Sequence, residues 1–349
     1  MNGTAKTSGT TALALRAGRV SLLVERRLLV LVAVLVLLIL GLGLVGLCYG
    51  PTWASPAKVL DALTGARGGS NVVIREWRLP RVLAAVAFGA ALGAAGAVFQ
   101  NITRNPMGSP DVIGLDAGAY TGALIAITVL SGSPAQLALS SLVGGLLTAA
   151  VVYLLSLGGG VSGLRLVVIG IAVNATLTAL NSWIVLRAEL EVAIAAVGWS
   201  AGSLNGVGWG DLTIPLAVIA VLLVLLAVQS RAAQQAALGP DVAVTTGVRL
   251  EPLRLRLVLI GVGCTATVTA VAGPIAFIAL AAPQIGRRLA GAPGVPVLPA
   301  ALTGAALLLG ADLAAQALLA PVALPVGVIS TAIGGCYLMW LLAKEVRRR

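Results

Sequence analysis

The chain has 349 residues, of which 59% are hydrophobic and 10% charged, whereas charged residues make up about a quarter of an ordinary soluble domain. This composition excludes a soluble enzyme and a disordered chain, and it provides enough apolar residues for about ten membrane-spanning helices of ~20 residues. The net charge of +11 could indicate nucleic-acid binding or a membrane protein with basic cytoplasmic loops, and the positions of the basic residues decide between them.

The N-terminal 27 residues are polar and basic, and an apolar run over residues 28–47 follows them. This order resembles a signal peptide, but the apolar run is too long and no small-residue cleavage site follows it. We therefore predict a cytoplasmic basic tail over residues 1–27 and a first span that stays in the mature protein.

Nine further apolar segments follow, and the breaks between them carry Gly, Pro or charge, as turns do. The ten predicted spans are 28–47, 82–100, 112–130, 136–157, 166–186, 212–229, 257–272, 275–290, 299–319 and 326–342. The boundary at Gly273-Pro274 is the least distinct, because the flanking spans could also form one long kinked helix. The sequence predicts an all-α polytopic membrane protein with a single transmembrane domain over residues 28–343 and a basic cytoplasmic C-terminus over residues 344–349.

The basic residues indicate the orientation of this bundle. Ten spans place both termini on one side, and with the N-terminus inside, 17 of the 23 basic residues lie on the cytoplasmic side. The six outer ones are Lys58, Arg67, Arg75, Arg78, Arg81 and Arg187. This asymmetry accounts for the net charge without nucleic acid, and it places a loop over about 231–255 inside.

The sequence offers no catalytic centre. It contains no histidine, so a Ser-His-Asp triad and a His-ligated zinc or haem site are excluded. The phosphate-binding pattern G-x-x-x-x-G-K-[ST] is absent, so ATP-driven transport would need an ATPase on another polypeptide. We predict no catalytic residue, no metal site and no cofactor.

Three charged residues are candidates for function. Asp312 is the one acid well inside a predicted span, and it could be a functional ionisable group or a structural aspartate bonded to a neighbouring helix. Arg78 and Arg81 flank Leu79-Pro80 at the outer mouth of the second span. Their side chains could extend to the membrane interface, or they could bind the carboxylates of an external partner.

Several stretches resemble one known family, and together they span nearly the whole chain after the tail. They are residues 76–83 (EWRLPRVL), 89–100 (GAALGAAGAVFQ), 104–111 (RNPMGSPD), 238–248 (LGPDVAVTTGV), 273–283 (GPIAFIALAAP), 311–312 (AD) and 324–327 (LPVG). They resemble the FecCD family, the permease subunits of ABC importers for ferric siderophores, haem and cobalamin. Within it, residues 76–78, 108–112, 201–206 and Gln316 are most similar to permease subunits of ferric enterobactin importers.

The resemblance implies a BtuC-like (type II ABC importer) permease fold with ten helices per subunit. It also implies a second FecCD-type subunit, two cytoplasmic ABC ATPase subunits and an extracytoplasmic substrate-binding protein that docks through acidic residues. Carried over, Arg78 and Arg81 become docking candidates. The ATPase-coupling candidates are Leu238, Gly239, Asp241, Ala243 and Gly247. The intramembrane candidates are Gln100, Asn105, Pro106 and Asp312.

Three positions depart from the family pattern. Many members have His where this chain has Gln284, Arg where it has Gln316, and Glu where it has Ala323. Losing the third arginine predicts weaker or asymmetric docking, and asymmetry suits a heterodimer of two different permease subunits.

The predicted function is that of the membrane permease in an ATP-driven importer for a ferric siderophore, with a catecholate of the enterobactin type as the best match. Hydroxamate siderophores, haem and cobalamin are alternative cargoes. An ion-coupled secondary transporter is a further alternative and would use Asp312 as its coupling site. A channel or structural membrane protein would differ in not depending on an ATPase.

Overall fold

The computed structural model describes residues 4–7, 10–17, 20–65, 69–111, 113–130, 132–156, 163–237, 239–292 and 294–346. Three short strands, β1 (Thr4–Thr7), β2 (Thr10–Ala17) and β3 (Val20–Glu25), pair antiparallel in that order. Thr7 pairs with Thr10 and Ala17 with Val20. Composition predicted only a polar, basic tail here; the Thr and Val residues of these segments favour strands.

Each of the ten predicted spans falls on a helix. These helices are α1 (Arg26–Cys48), α4 (Leu79–Thr103), α5 (Leu115–Val129), α6 (Pro134–Ser156), α7 (Gly163–Arg187), α9 (Trp209–Ala237), α11 (Leu250–Ala272), α12 (Ile278–Ala290), α13 (Val297–Ala317) and α14 (Val326–Val346). Shorter elements lie between them: α2 (Pro56–Thr64), α3 (Gly69–Val72), α8 (Leu190–Ser200), α10 (Pro240–Thr245) and a π-helical segment, Val73–Arg78, that runs directly into α4.

The helices differ in their reach across a bilayer. Within the described residues, seven are long and apolar enough to span it: α1, α4 with its π-helical start, α6, α7, α9, α11 and α13. By contrast, α5 has 15 residues and α12 has 13, which at 1.5 Å per residue gives about 22 and 20 Å against a hydrocarbon core of about 30 Å. These two predicted spans are therefore shorter helices that continue as non-helical chain at their N-terminal ends.

The break at Gly273-Pro274 is genuine, so the alternative of one long kinked helix is wrong. α11 ends at Ala272 and α12 begins at Ile278, and Gly273 has a φ of +69°. Only glycine adopts this backbone conformation without strain, and the proline that follows has no N–H to continue the helix. A hydrogen bond of 2.7 Å from the Ser203 amide to the Ala272 carbonyl ties the break to the loop after α8.

The centre of the bundle is α4, which packs against α13, α12 and α11. In its most apolar stretch 78% of the residues are buried, against 11% in α7. A close approach joins Gly89 of α4 to Gly304 of α13, where a Cβ on either glycine would overlap the other's carbonyl oxygen. Small residues therefore set this interface, and the Gly89-xxx-Gly93 spacing is the pattern that lets helices approach closely in lipid.

A second close pair joins α5 to α6. A Cβ on Gly118 would overlap the Thr148 side chain, and one on Gly122 would overlap the Ser140 carbonyl oxygen. Gly114, four residues before Gly118, has a different role. It precedes α5 with a φ of +86° and ends the turn that leads into the helix.

Candidate functional site

Arg81 and Asp312 form a buried ion pair between α4 and α13. The Arg81 Nη2 atom lies 2.8 Å from Asp312 Oδ1, and Arg81 Nε lies 2.9 Å from Oδ2, so the guanidinium donates to both carboxylate oxygens. The Asp312 side chain is 1% exposed and that of Arg81 is 17% exposed. Bidentate geometry is the strong form of this interaction, and it neutralises an acid that would otherwise be buried alone.

The pair extends into a small polar network. Gln316, one turn after Asp312 on α13, donates from Nε2 to Asp312 Oδ2 at 2.8 Å. The Tyr49 hydroxyl, just past α1, lies 3.5 Å from the Gln316 carbonyl oxygen. Many family members have arginine at the position of Gln316. In this chain the Gln316 amide donates a further side-chain hydrogen bond to the Asp312 carboxylate. Asp312 therefore has hydrogen-bond partners from two helices. Whether it is a functional ionisable group or a structural aspartate stays a prediction.

Arg78 fastens the end of α1. Its Nη1 donates to the carbonyl oxygens of Leu47 and Cys48, both at 2.9 Å, and its Nη2 donates to that of Thr52 at 2.9 Å. The last carbonyls of a helix lack intrahelical donors, and a guanidinium supplies them. Arg78 and Arg81 both have partners within the chain, and their proposed docking role stays a prediction.

Gln100 lies at the buried contact between α4 and α12. It is 3% exposed, and its Nε2 donates to the Leu280 carbonyl oxygen at 3.1 Å. Its Oε1 accepts a hydrogen bond from Nε2 of Gln284, which is 8% exposed. Gln284 is the position where many family members have histidine, and in this chain an amide pair links the two helices.

Asn105 and Pro106 form the turn that ends α4. Arg104 has a φ of +50°, and the Asn105 side chain accepts a hydrogen bond from the Met107 amide at 2.9 Å. The Gly108 amide donates to the Asn105 carbonyl oxygen at 2.9 Å. Asparagine commonly stabilises turns through such side-chain-to-backbone bonds. The geometry of both residues is that of a turn, and their functional role remains a prediction.

The predicted ATPase-coupling residues surround α10, between α9 and α11. Gly239 and Gly247 have φ values of +133° and +82°, so they bound the short helix in conformations that suit glycine. Ala243 is fully buried, and its carbonyl oxygen accepts from the Val248 amide at 2.8 Å. Asp241 belongs to α10, and Leu238 lies outside the described residues. The structure thus brings Gly239, Ala243 and Gly247 into one compact turn.

A cavity of about 570 Å³ lies among α5, α7 and α8. Its polar lining residues are Asp116 and Tyr120 of α5, Asn174, Thr178, Asn181 and Ser182 of α7, and Ser200 of α8. The Tyr120 ring stacks on Trp199, with ring centroids 6.1 Å apart and planes 7° from parallel. The Thr269 hydroxyl of α11 lies 3.4 Å from Asp116 Oδ1 and holds that carboxylate at the wall.

The electrostatics of this cavity come from acids. Asp111, in the loop before α5, lies close enough to Asp116 for their charges to interact. Burial, and then the negative charge of Asp116, raise the pKa of Asp111 well above that of a free aspartate. The described residues that line the cavity include no Lys or Arg.

Sequence reasoning missed this cavity and the pairing of Arg81 with Asp312. The cavity had a signal: Asn174, Thr178 and Asn181 follow one another at intervals of four and three within an apolar span, which puts them on one face of a helix. The ion pair had none, because 231 residues separate its members.

Comparisons with known proteins agree on one family. The sequence profile of the FecCD transport family matches residues 34–344. The chain is 44% identical over 327 residues to the ferric enterobactin transport system permease protein FepG of Escherichia coli strain K12, covering 93% of this chain and 99% of that protein. It is 35% identical to the achromobactin transport system permease protein CbrC of Dickeya dadantii strain 3937, covering 95% and 96%.

Two further comparisons extend this result. The chain is 34% identical over 278 residues to the hemin transport system permease protein HmuU of Yersinia pestis, covering 78% of this chain and 83% of that protein. A solved structure of an inward-facing, metal-chelate type ABC transporter superposes with a TM-score of 0.80 at 27% identity, covering 90% of this chain and 98% of that one. The BtuC-like fold that the sequence predicted is therefore confirmed.

Proposed function

The chain belongs to the FecCD transport family, and from this premise we propose that it is the permease subunit through which an ATP-driven importer carries a ferric siderophore, specifically a ferric catecholate of the enterobactin type. The observation that carries the proposal is the 44% identity to the ferric enterobactin permease over 99% of that protein's length. The match covers 93% of this chain, so it includes helices of the central core as well as loops.

Other cargoes remain alternatives, because relatives at 34–35% identity are named for achromobactin and hemin. The ion-coupled transporter is less well supported. Its coupling site would be Asp312, whose carboxylate already has a bidentate guanidinium partner and a Gln316 amide. A coupling acid has to release and rebind an ion, and this network opposes both steps.

The loop around α10 is the proposed contact with the ATPase. The basic-residue asymmetry supports a position on the cytoplasmic side together with both termini, in the cytoplasmic (inner) membrane. Val244, in the last turn of α10, is 63% exposed, while Ala243 beside it is fully buried. One face of the turn thus anchors the loop to the bundle and the other is free to meet a partner.

The remaining partners are an extracytoplasmic binding protein and a second, different FecCD-type permease subunit. Docking would use the positive charge at Arg78 and Arg81 against acidic residues of the binding protein, and would mainly govern association rate and orientation. Gln316 in place of a third arginine supports a heterodimer, because it makes this subunit's docking surface weaker than a family partner's. A transport-competent homodimer of this chain alone would overturn the heterodimer.

Transport would proceed by rigid-body motion. ATP binding closes the two ATPases and draws the α10 loops together, and tightly packed helices rock as units because their cores do not deform continuously. The close glycine contacts between α4 and α13 support treating those two helices as one body.

The docking role can be tested without leaving an unpaired acid. Arg78→Gln meets this condition, because the partners of Arg78 are neutral carbonyl oxygens and the variant removes one positive charge. We expect the binding protein to associate more slowly with the assembled complex and with a weaker salt dependence. Arg187→Gln, an exposed cation at the end of α7, serves as the control. Equal association rates for the wild type and Arg78→Gln would remove Arg78 from the docking surface.

The cargo is tested by uptake of radiolabelled iron, supplied as a ferric catecholate chelate, in cells with and without this gene. We expect deletion to abolish uptake and the intact gene to restore it. If deletion leaves catecholate uptake unchanged, the catecholate assignment is wrong. The same cells then receive the hydroxamate chelate, haem and cobalamin in turn.

A further inference from the structure

The cavity among α5, α7 and α8 has features that neither the docking surface nor the α10 loop explains. It combines a volume of about 570 Å³ with polar side chains on a helix that is otherwise apolar and lies at the edge of the bundle. Polar residues at membrane depth normally face the protein interior or a water-filled space. Thr178 is exposed, so the polar face of α7 is not closed off by the described residues of this chain.

The cavity presents one aromatic surface. Tyr120 lines it and is half-buried, and the near-parallel stack on Trp199 fixes the plane of its ring. Ser200, the next residue of α8, also lines the cavity. The ring is therefore held by its stack on α8. Such a fixed ring can accept a second flat ring without losing much conformational freedom.

Two polar side chains beside the ring are free to bind a ligand. Asn181 is occupied, since it donates to the Ala117 carbonyl oxygen at 3.0 Å and accepts from the Thr121 hydroxyl at 2.8 Å. In the part of the chain that the structure describes, the Asn174 amide and the Thr178 hydroxyl have no such partners. These two groups can donate hydrogen bonds to the oxygens of a chelate.

The charge of the cavity limits how tightly such a cargo is held. A ferric catecholate complex is anionic, and Asp116 at the cavity wall repels it. A transport path has to bind its cargo weakly enough to release it. Ring stacking and hydrogen bonds provide a weak contact, and repulsion by the carboxylate keeps the affinity low enough for the chelate to leave.

Resting on the proposed catecholate cargo, we propose that this cavity is a contact site for the aromatic rings of the chelate in transit, with the Tyr120 ring as the stacking surface and Asn174 as a hydrogen-bond donor. An aliphatic hydroxamate chelate has no ring to place there. The cavity would then favour catecholates at the permease step, in addition to any selection by the binding protein.

The test uses the complete importer in cells that lack other iron-chelate uptake, and compares Tyr120→Leu with Tyr120→Phe. Leucine removes the ring while keeping apolar bulk, and phenylalanine keeps the ring without the hydroxyl. We expect ferric catecholate uptake, normalised to the amount of permease in the membrane, to fall about two- to tenfold in Tyr120→Leu, the range of one aromatic contact. We expect Tyr120→Phe to stay near wild type and Asn174→Ala to fall.

Trp183→Ala is the matched control, because Trp183 is an exposed aromatic on α7 that does not line the cavity. ATP hydrolysis without cargo reports assembly and should be the same in all variants. Wild-type cells that do not import the catecholate would overturn the proposed cargo. Wild-type import with equal uptake in Tyr120→Leu, or with equal losses in Tyr120→Leu and Tyr120→Phe, would overturn the ring contact and leave the proposed cargo standing.

Discussion

Arg81 and Asp312 meet across the α4–α13 interface with two short N–H···O contacts of 2.8 and 2.9 Å, although 231 positions separate them in the chain. The two helices approach through Gly89 and Gly304, so the ion pair and the glycine contact belong to one interface. The pair thereby fixes the register of α4 against α13 near the start of one helix and the end of the other.

A double-mutant cycle should reveal this coupling. Asp312→Asn and Arg81→Gln each leave a charged partner buried without its counter-ion, so we expect each to lower the free energy of unfolding by about 3–5 kcal/mol. The double variant should lose less than the sum of the two. The measurement is thermal unfolding of the purified protein in detergent. Strict additivity would show that the pair is not coupled.

Arg78 should stabilise the fold whether or not it docks a partner. Arg78→Gln removes charged donors from the carbonyls of Leu47, Cys48 and Thr52, and we expect a loss of about 1.5–3 kcal/mol. Arg187→Gln, whose guanidinium lies 6.0 Å from the Trp183 ring centroid at an exposed site, should lose under about 1 kcal/mol. The two variants are compared by melting temperature. Similar melting temperatures would contradict the structural role of Arg78.

Two glycines of α13 should respond differently to substitution by alanine, because only Gly304 packs against α4. At Gly304 a Cβ would overlap the Gly89 backbone, whereas at Gly310 it would meet no atom within 4 Å. We expect Gly304→Ala to cost about 1–3 kcal/mol through overpacking. Gly310→Ala should be neutral or stabilise by up to about 1 kcal/mol, because alanine favours helix. Equal melting temperatures would mean that the helices lie farther apart than described.

The amide pair between α4 and α12 should matter because both members are buried. Gln284→Leu keeps most of the volume but leaves Gln100 Oε1 without its donor, so we expect a loss of about 1–3 kcal/mol. Replacing both glutamines by leucine should restore part of this loss, since neither polar group is then left unpaired. The readout is again the melting temperature, and a double variant no better than Gln284→Leu would speak against the pairing.

The coupling proposal can be tested with two glycines of similar conformation. Gly247 beside α10 has a φ of +82° and Gly206 in the α8–α9 loop has a φ of +79°, and a Cβ at either meets no atom within 4 Å. Alanine at either site costs about 1–2 kcal/mol of backbone strain. We expect Gly247→Ala to reduce ATPase association about 5–30-fold, the population change that such strain causes, and Gly206→Ala to leave it unchanged. The assay is co-purification of the ATPase with the permease. Equal association in both variants would contradict the role of the α10 loop.

The sequence by itself determined the class and the helices. Apolar runs of about 20 residues have no stable alternative to helices in a bilayer, since backbone groups there must pair within the segment, and all ten predicted spans are helices. The spacing of Gly89 and Gly93 is also visible in the sequence, and both positions pack closely against α13, because absent side chains permit close approach whatever the neighbour is.

Tertiary structure alone decided which helices meet and where polar groups pair. The local sequence around a side chain does not indicate a partner hundreds of residues away. The pairing of Asp312 with Arg81 therefore becomes visible only when α13 packs against α4. The tertiary structure also decided where α5 and α12 begin. Gly114 and Gly273 precede these helices with positive φ values, which the sequence permits but does not require. The cavity beside Tyr120 likewise exists only where three helices leave a space between them. The spacing of Asn174, Thr178 and Asn181 indicates a polar helix face, but it does not show what lies opposite that face.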